Sequence, residues 1–186
     1  MTVLKIARMG HEVLKRIAAP VENPQAQEIA KLAGDMRDTL ENIAASGIAA
    51  PQVFVSKRLF VYRLPEHLIP PGAELKPIPW RVLINPVLEP LSDEKRPVGF
   101  EKCLSIPGLH GLVPRYTRVC VEAQQLDGSS IEITASGYHA RLLQHEYDHL
   151  DGILYPQRMK DITNLAFNSE LGDRFYIPRD PALFVE

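Results

Sequence analysis

Residues 144–152 contain two histidines and a glutamate at spacings suited to metal chemistry. On a helix, His145 and His149 stand four residues apart, so both imidazoles project from one face. Glu146 is offset by about 100° at the helical repeat of ~3.6 residues, which places it beside a metal, within reach of a bound water. An H-E-x-x-H pattern of this kind is typical of two metal ligands and the general base of a hydrolysis. The alternative is two histidines that share a half-buried helix face by chance.

Two histidines leave such a site incomplete, because a catalytic metal of this type takes three protein ligands and keeps one position open for water. The chain has two cysteines, Cys103 and Cys120, and thiolate is a preferred ligand of zinc and iron(II). Cys120 lies in an alternating run that is typical of a strand and indicates a structural role. Cys103 is therefore the favoured third ligand, with simple burial as the alternative.

The spacing of apolar residues predicts the helices that position these groups. Asn23-Pro24 indicates a helix start, with a capping Asn and Pro at the first helical position. Apolar residues recur at three- and four-residue spacing over residues 29–43 and predict an amphipathic helix of about five turns. For the histidine helix, Ser136 is the expected cap and Gly152 fits the position just past the end. Residues 156–171 predict a final helix, followed by an extended tail.

Shorter patterns predict strands in the middle of the chain. Residues 59–62 predict a short strand, and residues 81–91 predict a strand pair or a bent strand interrupted at Asn85-Pro86. Residues 92–96 predict a polar turn. Asp127-Gly128 predicts the turn of a hairpin formed by residues 112–126 and 130–135.

A small, nearly uncharged segment follows the first helix at residues 45–52. Gly47 permits positive φ, and the small side chains permit close approach of another chain. The segment is either a tight crossover in the core or the edge of a ligand groove that offers main-chain hydrogen bonds. Gln52 is the polar side chain able to act there, as an amide donor. Tyr138 and Leu142 share the stripe of the two histidines and predict either a pocket wall or ordinary core.

Composition limits the class of protein. The chain has 186 residues, 45% of them hydrophobic, and shows no repeat or composition shift, so we expect one domain over residues 1–186. Its net charge of -2 gives no general reason to bind nucleic acid or an anionic membrane, and no apolar run approaches the ~20 residues of a membrane span. Few cysteines and no secretory signal favour the cytoplasm, or an organellar matrix after removal of a leader.

Three segments, in this order, resemble motifs of the peptide deformylase family. The family's G-x-G-φ-A-A-x-Q corresponds to ASGIAAPQ at residues 45–52, and its E-G-C-φ-S corresponds to EKCLS at residues 101–105. Its Q-H-E-x-D-H-L-x-G is matched in full by QHEYDHLDG at residues 144–152. Ala45 and Lys102 depart from the family by replacing glycines.

The resemblance implies removal of the formyl group from the N-terminal formyl-methionine of new polypeptides. It implies an α+β fold in which antiparallel sheets pack around a central metal-binding helix. It also implies one divalent metal per chain, iron(II) in the cell, with zinc, nickel or cobalt as substitutes. The formyl-Met polypeptide is then the expected partner, with the ribosome surface as a further one.

The resemblance also implies a role for each site residue. The implied metal ligands are Cys103, His145 and His149. The implied catalytic groups are Glu146 for proton transfer, with the Gln52 amide and the Leu104 backbone N–H as oxyanion donors. The implied substrate contacts are the main chain of Gly47 and Ile48, and a methionine pocket walled by Tyr138 and Leu142. Glu101 and Asp148 are candidates to orient the ligand histidines, with Arg115 to neutralise one of them.

Other functions stay open on the sequence. A metallopeptidase with the same motif would need a third ligand downstream, where no histidine follows His149. A catalytically silent homologue that binds formylated termini is favoured by the changes at Ala45 and Lys102. A structural metal site would need four protein ligands. Lys102 itself would either favour acidic substrates or point to solvent.

Overall fold

The computed structural model of the protein describes residues 2–69, 75–91 and 96–171. The helices are α1 (Gln27–Ile43), α2 (Gly137–Leu150) and α3 (Asn168–Leu171). The strands are β1 (Gly47–Ala49), β2 (Leu59–Leu64), β3 (Ile78–Pro90), β4 (Val98–Cys103), β5 (Ile106–Pro114), β6 (Arg118–Gln124), β7 (Ser130–Ser136) and β8 (Ala166–Phe167). The expected extended tail and most of the expected polar turn at 92–96 lie outside the described residues.

The strands form two antiparallel sheets, as expected for an α+β fold. One sheet has the order β1-β2-β3-β6-β7, and the other has the order β4-β5-β8. β1 and β4 are therefore edge strands. The hairpin predicted around Asp127-Gly128 is confirmed as β6 and β7, but residues 112–114 belong to β5 instead. Its turn has Gly128 at φ 84°, a left-handed conformation that suits glycine.

Helix α1 confirms the predicted amphipathic helix, but it begins later than Asn23-Pro24 indicates. The side chain of Asn23 accepts a hydrogen bond from the Gln25 amide at 3.0 Å, which closes a separate turn. Ala26 occupies the N-cap position without a side-chain cap. The apolar face of α1, including Met36 and Leu40, is buried against β1 and β2.

The interruption predicted at Asn85-Pro86 is a bulge within one long strand. Asn85 has φ 51°, and the pairing of β3 with β6 shifts register between Ile84 and Val87. The Asn85 side chain accepts a hydrogen bond from the Val21 amide at 2.8 Å. This contact ties the N-terminal segment to the bend, so β3 continues through the position of the predicted break.

Helix α2 packs against the five-stranded sheet through Leu142, Leu143 and Leu150. Ser136 occupies its N-cap position as predicted, but the Ser136 side chain makes no capping hydrogen bond. Gly152 follows the helix end with φ 71°. A Cβ atom on Gly152 would lie 2.7 Å from the Lys15 carbonyl carbon, so glycine is required both by the turn and by this close approach.

The prediction of a single helix over residues 156–171 is wrong. These residues instead form short 3-10 turns at Tyr155–Arg158 and Ile162–Asn164, then β8 and the short α3. β8 pairs with β5, with Phe167 opposite Leu109. Strand pairing outweighs the weak apolar spacing that indicated a helix. Within the described residues, no helix combines the length and apolar character needed to cross a membrane.

Candidate active site

The residues expected to hold a metal lie together where the end of β4 meets α2. The Sγ atom of Cys103 lies 3.2 Å from Nε2 of His149. One potential ligand atom from each of Cys103, His145 and His149 falls within 4.8 Å of the others. Cys103 and His149 are buried, and His145 is nearly so. This is a donor set of one sulfur and two imidazole nitrogens, chemistry suited to zinc or iron(II).

The electrostatics of this cluster favour the thiolate, the form of cysteine that binds metals. Burial alone would raise the pKa of the Cys103 thiol, but the adjacent His149 and His145 imidazoles outweigh burial and hold that pKa well below its usual value. The Nδ1 atom of His149 is buried without a hydrogen-bond partner in the described part of the chain. The surroundings of Cys103 therefore favour the thiolate form as a metal donor.

A carboxylate fixes the orientation of His145. Its Nδ1 atom lies 2.9 Å from Oε2 of Glu101, which leaves Nε2 for the cluster. Glu101 in turn accepts hydrogen bonds from Arg115 at 2.8 and 2.9 Å and from Arg141 at 2.9 Å. Burial would raise the pKa of Glu101, but the two charges of Arg115 and His145 hold it well below its usual range. Glu101 is thus a fixed anion, as required of a group that orients a ligand histidine.

Asp148 pairs with two arginines, whereas it was expected to orient a ligand histidine. It accepts a hydrogen bond from Arg115 at 2.6 Å and pairs with Arg158 at 2.7 Å. Arg115 therefore neutralises Glu101 and Asp148 together, and not only one of them as expected. Arg141 and Arg158 were missed by sequence reasoning. A signal for Arg141 was available, since it interrupts the apolar stretch of α2 directly before Leu142.

Glu146 is buried beside the cluster and packs against Gly47. A Cβ atom on Gly47 would lie 2.4 Å from Oε1 of Glu146. Gly47 does not adopt a positive φ, so the backbone freedom of glycine is not needed at this position. Glycine is needed because a side chain here would collide with Glu146. The other carboxylate oxygen, Oε2, is buried and accepts no hydrogen bond from the described residues. Burial raises the pKa of Glu146 to about 7 against the opposing effect of the two imidazoles.

Gln52 and Leu104 approach the same cluster. The Oε1 atom of Gln52 accepts a hydrogen bond from the Ala49 amide at 2.8 Å, which turns Nε2 toward the site. That nitrogen lies 3.2 Å from Oγ of Ser105 and 3.4 Å from Sγ of Cys103. Leu104 lies in the tight turn between β4 and β5, directly after Cys103. Both predicted oxyanion donors thus belong to the wall of one site.

A cavity of about 820 Å³ opens over the cluster. Gly47, Tyr138 and Leu142 are among the residues that line it. The side chain of Ile48 is fully buried in the core beneath β1, so any contact from Ile48 to a ligand would come from its main chain. Ala45 and Lys102, the two departures from the motifs, also line the cavity. The edge strands β1 and β4 both border it.

Comparison with known proteins finds peptide deformylases that are similar to this chain over most of its length. The sequence model of the family described as polypeptide deformylase matches residues 3–164. Peptide deformylase 2 of Ralstonia nicotianae is 43% identical over 166 residues, which cover 89% of this chain and 92% of that protein. Peptide deformylase 1 of Bordetella pertussis is also 43% identical over 166 residues, covering 89% and 93%.

Solved structures show the same likeness. Peptide deformylase from Ehrlichia chaffeensis superposes with a TM-score of 0.78 at 33% identity, covering 88% of this chain and 91% of that one. A class I type b peptide deformylase from Acinetobacter baumannii, bound to Met-Ala-Ser, superposes with a TM-score of 0.75 at 36% identity, covering 85% and 99%.

Proposed function

This chain belongs to the peptide deformylase family, and we propose that it removes the formyl group from the N-terminal formyl-methionine of new polypeptides by metal-dependent hydrolysis. The observation that carries the proposal is the cluster of Cys103, His145 and His149 beside the buried Glu146, in a cavity large enough for a peptide end. We take residues 1–186 as a single catalytic domain.

The residues of the cluster fit a divalent metal. Cys103 Sγ and one nitrogen each of His145 and His149 would hold it, as three protein donors with room for a further ligand. A thiolate with two imidazoles can hold iron(II), which we propose as the native metal, and can also hold zinc, nickel or cobalt as substitutes. When bound, such a metal supplies Lewis acidity toward the formyl oxygen and lowers the pKa of water. The orphaned Nδ1 of His149 is consistent with a ring positioned by coordination through its other nitrogen.

The surrounding residues supply the rest of the chemistry. Glu146 accepts the proton of the attacking water through its unpartnered oxygen and delivers it to the leaving amine. The Gln52 side-chain amide and the Leu104 backbone N–H donate hydrogen bonds to the formyl oxygen as negative charge develops there. Glu101 holds His145 in one orientation throughout, because Arg115 and Arg141 fix its carboxylate.

The peptide lies between the two edge strands. An extended peptide adds main-chain hydrogen bonds to an exposed sheet edge, and Gly47 and Ile48 offer that edge on β1. Tyr138 and Leu142 wall the pocket for the methionine side chain. The Met-Ala-Ser that occupies the related deformylase from Acinetobacter baumannii supports a peptide as the ligand class. The ribosome surface is proposed as a further partner because the substrate is a nascent chain.

The alternatives are weaker on the same observations. A metallopeptidase would take its third ligand downstream of His149, whereas the third member of the cluster is Cys103, which lies upstream. A four-ligand structural site would need a fourth protein donor, whereas the cluster found among the described residues has three members. A silent homologue would need Ala45 or Lys102 to close the groove, whereas both residues line the cavity of about 820 Å³ beside Glu146.

The deciding experiment is turnover of a short formyl-Met peptide by protein prepared without oxygen, with bound metal measured in the same sample. We expect turnover with about one metal per chain, and loss of at least about 10²-fold in Glu146→Ala with metal retained. Glu28→Ala, an exposed substitution on α1, is the matched control and should keep full rate. Near-full turnover by metal-bound Glu146→Ala would refute the assignment, and metal without turnover in the unaltered protein would favour a silent homologue.

A further inference from the structure

The charged groups that line the cavity differ in whether a partner neutralises them. Glu101 and Arg141 are buried and paired with each other at 2.9 Å. Lys102, by contrast, is exposed and has no ion-pair partner among the residues that the structure describes. Among the described residues, the cavity lining therefore carries one positive charge that no ion pair neutralises.

The position of Lys102 places this charge close to the reacting end of a substrate. Lys102 directly precedes Cys103 on β4, and consecutive Cα atoms are ~3.8 Å apart. It alternates with the buried Glu101 and Cys103, and like Val98 and Phe100 it lines the cavity. A peptide whose formyl group reaches Cys103 would therefore bring only its first few residues within reach of the ammonium group.

Lys102 lies beside a second cavity-lining group on the neighbouring strand, β5. His110 on β5 forms a hydrogen bond with Asn168 of α3, and both residues line the cavity. Burial chiefly, and then the charge of Lys102, lower the pKa of His110 below its usual value. This shift opposes a positive charge on His110, which leaves Lys102 as the unpaired cation that the described residues place on this wall.

We propose that Lys102 makes this deformylase select formyl-Met peptides that carry Asp or Glu at the second or third residue over those that carry Lys. The inference rests on the proposed function and adds a specificity-determining residue to it. The family motif has glycine at this position, so the preference would be a property of this chain. An exposed ion pair contributes modestly and is screened by salt, so we expect selection by charge and a dependence on ionic strength.

The test compares kcat/KM for formyl-Met-Ala-Ser amide with peptides that carry Glu or Lys at either of the last two positions. C-terminal amides keep the peptide terminus from adding a charge. At low salt we expect the better Glu peptide to exceed its Lys counterpart by roughly threefold or more, falling toward equality at ~1 M salt, where the Debye length is only ~3 Å. Lys102→Gln should remove the preference, and Lys102→Glu should reverse it.

The control is Lys5→Gln, which removes an exposed lysine that does not line the cavity and should keep the preference. Equal rates for Glu and Lys peptides in the unaltered protein, with good turnover of the neutral peptide, would overturn the role of Lys102 and leave the deformylase function standing. A preference that survives Lys102→Gln would also overturn it. Failure to turn over any peptide, including the neutral one, would instead overturn the proposed function.

Discussion

Substitution of Gly47 by alanine tests whether the position of Glu146 controls the reaction. The added Cβ would lie 2.4 Å from Oε1 of Glu146, whereas ordinary van der Waals contact begins at 3.4 Å. The carboxylate must therefore move by about 1 Å or the β1 backbone must shift. A misplacement of ~1 Å can reduce a rate about 10²-fold, so we expect Gly47→Ala to lower kcat by about that factor. The metal ligands need not move, so bound metal should stay near one per chain.

The assay is turnover of a formyl-Met peptide, with metal content and melting temperature measured on the same preparation. Gly34→Ala is the matched control, because Gly34 lies within α1 and a Cβ atom there would have nothing within 4 Å. We expect this control to keep full activity and to be more stable by up to about 1 kcal/mol, since alanine is the better helix former. The control separates the geometry at Gly47 from any general effect of replacing glycine.

A double variant shows whether the loss acts through Glu146. If Gly47→Ala disturbs only that carboxylate, then adding it to Glu146→Gln should cost almost nothing further, because coupled residues are not additive. A full additive loss would mean that Gly47 acts mainly on the peptide main chain. Near-normal kcat in metal-loaded Gly47→Ala would refute the reasoning, since it would show that Glu146 reaches its working position despite the added methyl group.

Further predictions follow from individual contacts. Glu101→Gln removes the anion that orients His145 and should weaken metal affinity about 10- to 100-fold; competition with a chelating dye measures this, and unchanged affinity in folded protein would contradict it. Tyr155→Phe should leave the melting temperature unchanged or raised, because the Tyr155 hydroxyl is buried without a partner among the described residues; a fall of several degrees would contradict it. Burial, aided by Arg81, lowers the pKa of His139 to about 4, below its value of ~6.5 in an unfolded chain. Between pH about 4 and pH ~6.5 the unfolded chain binds more protons at His139 than the folded chain does, so the free energy of unfolding should rise with pH by up to about 3 kcal/mol. Urea titrations at several pH values measure this rise, and it should disappear in His139→Gln.

Local patterns predicted the elements whose residues carry strong periodic signals. The apolar spacing of residues 29–43 is enough to identify α1, and Asp127-Gly128 identifies the turn between β6 and β7. The positions of helix caps were harder to predict. Asn23 has the side chain of a cap, yet it closes a turn at Gln25 instead, because the two uses of an Asx side chain differ only in the backbone that follows.

The residues of the site also divide into those that a sequence pattern brings together and those that only the fold brings together. The spacing of His145 and His149 indicates a shared helix face, and no pattern along the chain shows that Arg115 lies between Glu101 and Asp148. That contact joins the residue directly after β5 to β4 and α2, so it is a tertiary property. Removing one partner of a buried ion pair costs about 3–5 kcal/mol, so each member of this group depends on the others being in place.

The far wall of the cavity is the part of the site that sequence reasoning had least means to predict. The match to the family model ends at residue 164, whereas Ala166, Asn168 and Leu171 also line the cavity. These residues are held there by the pairing of β8 with β5 and by the hydrogen bond from Asn168 to His110. The segment was expected to be a helix, which would have presented a different set of side chains. These residues line the cavity but supply none of the proposed metal ligands or proton-transfer groups, so they are placed to influence which peptide binds, and substitutions at Asn168 should change KM more than kcat.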